Sequence, residues 1–223
     1  MDKLLTDDPF RDLKWPKKVV PKPDPFTAEE RDVLLDYFWR AKRHYYAFVY
    51  TLFFTGLRTA EAIGLRWGKM DLRRGRLSVV VSRTLGEDNT PKTTGSEREI
   101  AIRPEVVAVL RQANPLRVTD ARFVFTTQHG TPLHEERFVE KHWHAALRAT
   151  GLRPRKFYAT RHTFITQTLE AGTVSTKKLA DYCGTSVGMI ETHYAGWMPA
   201  ESAAELAAMG GTPAATTTVR RAV

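Results

Sequence analysis

Apolar positions in this chain follow two rhythms, one helical and one alternating. Thr27-Ala28-Glu29-Glu30 forms a capping box, in which the Thr27 hydroxyl caps a helix and Glu30 reaches back. Val33, Leu34, Tyr37, Phe38 and Ala41 then share one helical face. A mostly apolar run from about Tyr45 to Thr55 predicts a buried helix, ended by Gly56. A short helix follows from about Arg58 to Leu65. Arg76 to Arg83 is rich in β-branched residues and predicts a strand, and the alternating Arg98 to Ile102 predicts its partner across a polar loop. Pro104 opens a helix to about Ala113. Arg122 to Thr126 predicts a third short strand, closed by the turn Gln128-His129-Gly130. Helical patterns then cover about 135–149, 160–171, 175–183 and 187–194. The expected fold is mainly α with a small three-stranded antiparallel β-sheet, its strands clustered in the first half.

The 223 residues suffice for one domain with tails or for two small domains. Residues 1–25 hold Pro16, Pro21, Pro23 and Pro25 among many charges, which predicts an extended linker with something preceding it. Residues 199–223 are Ala-rich, then Gly/Thr-rich, and predict a C-terminal segment and tail. Lys and Arg outnumber Asp and Glu by 34 to 25, a net charge of +9 that favours a polyanionic partner. Cys183 is the single cysteine, so an internal disulfide and a cysteine metal cluster are excluded. The most apolar stretch, Tyr45 to Leu57, is too short to span a bilayer, and the N-terminus has no apolar signal core. A cytoplasmic protein without a membrane partner is expected. No Gly-rich phosphate loop occurs. His142 and His144 stand two apart on a predicted helix and face different ways, so no metal is expected.

Five local features carry candidate chemistry. In Thr55-Gly56-Leu57-Arg58-Thr59-Ala60-Glu61 the glycine breaks a helix and aims Arg58 from the start of the next, and a guanidinium fork suits phosphate oxygens. Glu61, one turn on, can orient a neighbour, although an ordinary surface ion pair explains the same spacing. Pro91-Lys92-Thr93-Thr94-Gly95-Ser96-Glu97-Arg98 puts Lys92 in the loop between two strands, where it either reaches a phosphate or is merely solvated. In Tyr158-Ala159-Thr160-Arg161-His162-Thr163-Phe164, Arg161 sits at a predicted helix start, aimed at an anion, and His162 beside it is structural more often than functional. Leu179 to Ser186 is a helix closed by Gly184, with Thr185 next. Met189 to Gly196 ends the helical region and contains His193 and Tyr194.

Taken in order, these features resemble the tyrosine recombinase (phage integrase) family, from about Phe26 to Trp197. The resemblance makes residues 26–198 a catalytic domain of the DNA breaking-rejoining type. It implies site-specific recombination through a 3′-phosphotyrosyl intermediate, with no cofactor and no metal. Tyr194 would be the nucleophile, Arg58 and Arg161 would clamp the non-bridging oxygens, and Lys92 would be the general acid. A free tyrosine has a pKa of about 10, and two guanidiniums nearby would favour its phenolate. The implied partners are double-stranded DNA attachment sites, a homotetramer on DNA in the full-length protein, and directionality or architectural proteins of host or phage. Alone, the chain is expected to be a monomer that binds DNA weakly, because the small helical domain that usually precedes the linker is missing from it.

Two positions depart from the family pattern. Many members carry His where this chain has Tyr158, and His or Trp where it has Thr185. Tyr158 is a poor base at pH 7, while Thr185 can still donate a hydrogen bond. Either the two assist by hydrogen bonding, with His162 or His193 compensating, or the enzyme is slow. The alternative is a DNA-binding protein of the same fold that is catalytically weak or inactive.

Overall fold

The computed structural model describes residues 22–84, 87–89, 97–114 and 119–199. Residues 1–21 of the expected linker, Lys92 and the segment from residue 200 onward lie outside the described residues.

The Thr27 hydroxyl accepts from the Glu30 N–H at 3.2 Å, and the Glu30 carboxylate accepts from the Thr27 N–H at 3.0 Å. Two amides with no partner inside the helix are thereby satisfied. Helix α1 (Ala28–Ala41) buries Leu34, Leu35 and Phe38. Val33 is 46% exposed, so the apolar stripe is rotated toward Leu35 relative to the expected face. Helix α2 (Arg43–Thr55) buries Ala47, Phe48, Val49, Leu52 and Phe53.

Gly56 ends α2 in the left-handed region at φ 59° and redirects the chain into α3 (Thr59–Ile63). A Cβ on Gly56 would lie 2.3 Å from Phe164 Cδ1. Gly56→Ala therefore adds left-handed strain to a steric clash, and about 2–4 kcal/mol of stability should be lost. Urea unfolding of the two proteins measures this, and a loss under about 1 kcal/mol would contradict the packing.

Among the described residues five strands follow α3: β1 (Met70–Asp71), β2 (Arg76–Val79), β3 (Ser82–Thr84), β4 (Glu87–Asn89) and β5 (Arg98–Ala101). Among the described residues β1, β2 and β5 form a three-stranded antiparallel sheet in that order, with Leu77 opposite Ile100 and both buried. β3 and β4 form a separate hairpin. The expected strand from Arg76 to Arg83 is thus two strands, because the chain leaves the sheet after Val79 to lie against α3. The expected third strand, Arg122 to Thr126, is a correction. It makes only isolated bridges, Arg66 to Phe123 and Thr126 to Pro132, and the third place in the sheet belongs to β1. Proline has no N–H, so the second bridge cannot grow into a ladder.

The remaining elements are α4 (Pro104–Ala113), α5 (Glu135–Phe138), a π-helical turn (Val139–Trp143), α6 (His144–Ala149), α7 (Ala159–Glu170), α8 (Thr176–Cys183) and α9 (Val187–Tyr194). The region expected as one helix over 135–149 is continuous but widened by a π-helical turn at its centre, and Trp143 at the end of that turn is fully buried. Phe26 packs edge-on against Phe53 and Trp143, and its N–H donates to Thr163 Oγ1 at 2.8 Å. Asp24 accepts from both Arg153 Nη atoms at 2.6 Å and from Arg155 Nε at 3.2 Å. The last residues of the stretch read as linker are therefore tied to the segment before α7. A second apolar cluster of Ile165, Leu169, Leu179, Cys183 and Ile190 joins α7, α8 and α9, and it includes the ring of Tyr194. Among the described residues no helix is long and apolar enough to cross a membrane.

Candidate active site

Six of the nine residues singled out in the sequence line one cleft of about 600 Å³: Tyr158, Arg161, His162, Thr185, His193 and Tyr194. Lys22, Asp24 and Lys156 also border it. Two of the other three, Arg58 and Glu61, are outside its lining and belong to a network of arginines, and the third, Lys92, lies outside the described residues.

Arg161 is 3% exposed yet has no carboxylate partner among the described residues. Its Nη1 donates to the Gly56 carbonyl at 2.6 Å and its Nη2 to the Cys183 carbonyl at 2.8 Å. Both carbonyls belong to helix C-termini, those of α2 and α8, where unpaired carbonyls concentrate negative potential. Arg58 adds to this pattern, with Nη2 donating to the Gly184 carbonyl. The sequence placed Arg161 at a helix start, aimed at an anion. The structure keeps it in the first turn of α7, packs its guanidinium against the C-terminal ends of α2 and α8, and places it in the cleft lining. Two of its five N–H donors are committed to these carbonyls.

Glu61, 6% exposed, holds the network together. Its carboxylate accepts from Arg58 Nη1 at 2.8 Å, from the Arg58 backbone N–H at 2.9 Å, and from Arg98 Nη1 and Nη2 at 3.0 and 2.9 Å. Burial pushes the Glu61 carboxyl upward, but the hydrogen bonds and charge of Arg98, aided by Arg58, outweigh it and hold the group below its ordinary value. Arg98 also donates from Nε to the Tyr182 carbonyl at 2.8 Å. Sequence reasoning missed Arg98 as a functional residue. Its signal was its place at the end of the Lys92 motif, Pro91 to Arg98. Gly184 leaves room for the Arg98 guanidinium, since a Cβ there would meet Nη1 at 2.6 Å.

The Tyr194 hydroxyl lies 2.7 Å from His162 Nδ1. Tyr194 is 6% exposed, and burial pushes its phenol well above the usual tyrosine value; Tyr158 adds to this, and Arg161 pulls against it. Arg161 favours the phenolate, as expected of a nearby guanidinium, but burial outweighs it. His162 moves the opposite way. Burial, then Arg161 and His193, lower it to about 4 against a partial counter-pull from Asp24, so the imidazole is neutral at pH 7. Tyr158 is 39% exposed and meets the His162 ring edge-on at 5.1 Å between centroids. His193 and Thr185 line the cleft without side-chain hydrogen bonds among the described residues. No group of three or more His, Cys, Asp or Glu residues suited to a metal occurs among the described residues.

The arrangement offers a tyrosine hydroxyl with a hydrogen-bonded neutral base, and a buried cation able to face an anion in the same cleft. This is the equipment of nucleophilic attack on a phosphate ester.

Comparison with known proteins agrees. A family model described as the phage integrase family matches residues 26–196. A protein of Escherichia coli (strain K12) whose name, IntQ, carries the word "defective" is 28% identical over 234 residues, spanning 91% of this chain and 57% of its own length. The Tn1549 transposon integrase, solved in complex with a circular intermediate DNA, superposes with a TM-score of 0.70 at 21% identity, over 86% of this chain and 66% of its own. The catalytic domain of bacteriophage HP1 integrase superposes with a TM-score of 0.57 at 16% identity, over 82% of this chain and 91% of that domain. The fold is thus that of integrase catalytic domains, and the chain spans little more than half the length of the IntQ relative.

Proposed function

The chain belongs to the phage integrase family, and on that premise we propose that it breaks and rejoins double-stranded DNA in site-specific recombination, with Tyr194 as the nucleophile. The observation that carries this reading is the convergence of Tyr194, Arg161, His162, Tyr158, Thr185 and His193 on one cleft.

In the proposed step, Tyr194 Oη attacks the scissile phosphorus and the bond to the 5′-oxygen breaks, leaving a 3′-phosphotyrosyl linkage. Attack by a 5′-hydroxyl reverses it. Arg161 and Arg58 neutralise the charge that builds on the non-bridging oxygens. Lys92 protonates the leaving 5′-oxygen. Glu61 and Arg98 position Arg58 without touching substrate. Thr185 and Tyr158 supply hydrogen-bond donors where many family members have imidazoles. Double-stranded DNA is the partner, as a circular DNA is for the Tn1549 integrase, and the net charge of +9 suits it.

The test is covalent trapping on nicked duplexes of randomised sequence, in which the short cleaved strand diffuses away and rejoining fails. The expected result is a protein–DNA band that survives denaturing electrophoresis and disappears on protease treatment. Retention of duplex without any covalent band would favour the reading of a DNA-binding protein that no longer cuts.

A further inference from the structure

We propose that His162 is the proton acceptor for Tyr194, performing in this chain the deprotonation that Tyr158 cannot. The proposal rests on the recombinase reading above and takes it one step further, to the route of a single proton.

Three observations place the task on His162. Its Nδ1 is the only basic atom within hydrogen-bonding distance of the Tyr194 hydroxyl among the described residues, at 2.7 Å. His193 borders the same cleft but makes no bond to that hydroxyl. Tyr158 is a phenol, and among the described residues its side chain meets His162 only through a ring contact. With its own hydrogen on Nε2, His162 accepts the Tyr194 hydroxyl hydrogen at Nδ1, already aligned for transfer.

The environment of His162 fits a base that is idle until DNA arrives. It faces Arg161 on its own helix, His193 and Tyr194 on α9, Tyr158 at the start of α7, and Asp24 from the segment before α1. Burial and the positive neighbours keep the imidazole neutral, with a pKa of about 4, so the acceptor site is open at pH 7. Burial also holds Tyr194 as a phenol, against the pull of Arg161, so the resting nucleophile is dormant. A phosphodiester in the cleft adds negative charge, which favours the imidazolium. The phenol becomes more acidic as its oxygen bonds to phosphorus. The balance is complete: Oη–P forms, P–O5′ breaks, the Oη proton moves to His162 Nδ1, and the 5′-oxygen takes a proton from Lys92. In the reverse step His162 returns its proton to Oη.

The experiment compares His162→Asn with the unaltered chain on duplexes recovered from the trapping pool, measuring the rate of covalent adduct formation across pH. Asn offers an oxygen near the place of Nδ1 and accepts a hydrogen bond, but takes no proton. We expect His162→Asn to be slower by at least about 10²-fold with DNA retention unchanged, and to lose the acid-side fall in rate shown by the unaltered chain. A rate within about threefold of the unaltered chain, or a retained acid-side fall, would overturn the proposal and leave His162 as a positioning residue. A second substrate, with sulfur in place of the leaving 5′-oxygen, needs no acid for departure. It should restore Lys92→Ala but not His162→Asn, and restoration of both would show His162 acting on the leaving group instead. Absence of any adduct from the unaltered chain would defeat the recombinase reading itself, before the histidine comparison begins.

Discussion

Glu61→Ala should cost about 3–5 kcal/mol of folding stability, because it leaves a buried arginine without its counter-charge. Arg98 is almost fully enclosed, and two of its three side-chain hydrogen bonds among the described residues go to the Glu61 carboxylate. Removing that carboxylate strands the guanidinium with one carbonyl acceptor, while Arg58 loses the partner that fixes its Nη1. Surface pairs such as Lys177 with Asp181 lie in water and contribute a few tenths of a kcal/mol at most, so the effect is specific to this network. Acid sensitivity changes as well. Glu61 has a depressed folded-state pKa, so its contribution is present above its unfolded value of about 4.5 and is lost as pH falls through the lower folded value. The Ala variant should therefore lose less stability than the unaltered chain as pH drops below about 4.5. Urea unfolding at neutral and acidic pH measures both effects. A loss below about 1 kcal/mol would mean that Arg98 finds other partners.

Tyr194→Phe should abolish the covalent adduct while leaving a folded protein. Deleting an attacking nucleophile typically removes most of the catalysis, so a fall of at least about 10³-fold is expected on trapping substrates. The structural cost is small by comparison. The phenyl ring keeps its place in the cluster with Ile165, Leu169 and Ile190, and the hydrogen bond to His162 is worth about 1 kcal/mol. Thermal melting and adduct time courses on the same preparations separate the two effects. An adduct forming at the normal rate would remove Tyr194 from the chemistry.

Much of the fold was legible because its boundaries are set locally. The Thr27 capping box and Gly56 are statements about adjacent residues, and the structure places helix ends there. The sheet was less legible. Arg122 to Thr126 has strand composition, yet its pairing is decided by distant Arg66 and by Pro132. Conversely, Met70 and Asp71 carry no strand pattern and pair only because the turn to β2 brings them alongside.

The site divides the same way. The residue types and their order pointed to six positions that now line one cleft. Their partners were not readable. Arg98 reaches Glu61 across 37 residues and Tyr182 across 84, and His162 meets Tyr194 across 32. The carbonyls that hold Arg161 come from helix ends that approach each other only in the folded chain. Burial could not be read from the motif either, and burial is what pushes the Tyr194 phenol above its ordinary value.

The most direct test of the central claim is the identity of the DNA-linked residue. Trapped adduct should be digested with protease and nuclease, and the peptide bearing the nucleotide remnant sequenced by mass spectrometry. The remnant should sit on Tyr194, in the peptide Met189-Ile190-Glu191-Thr192-His193-Tyr194. Tyr158 lines the same cleft and is the more exposed of the two tyrosines. A remnant on Tyr158, or on any residue other than Tyr194, would contradict the account.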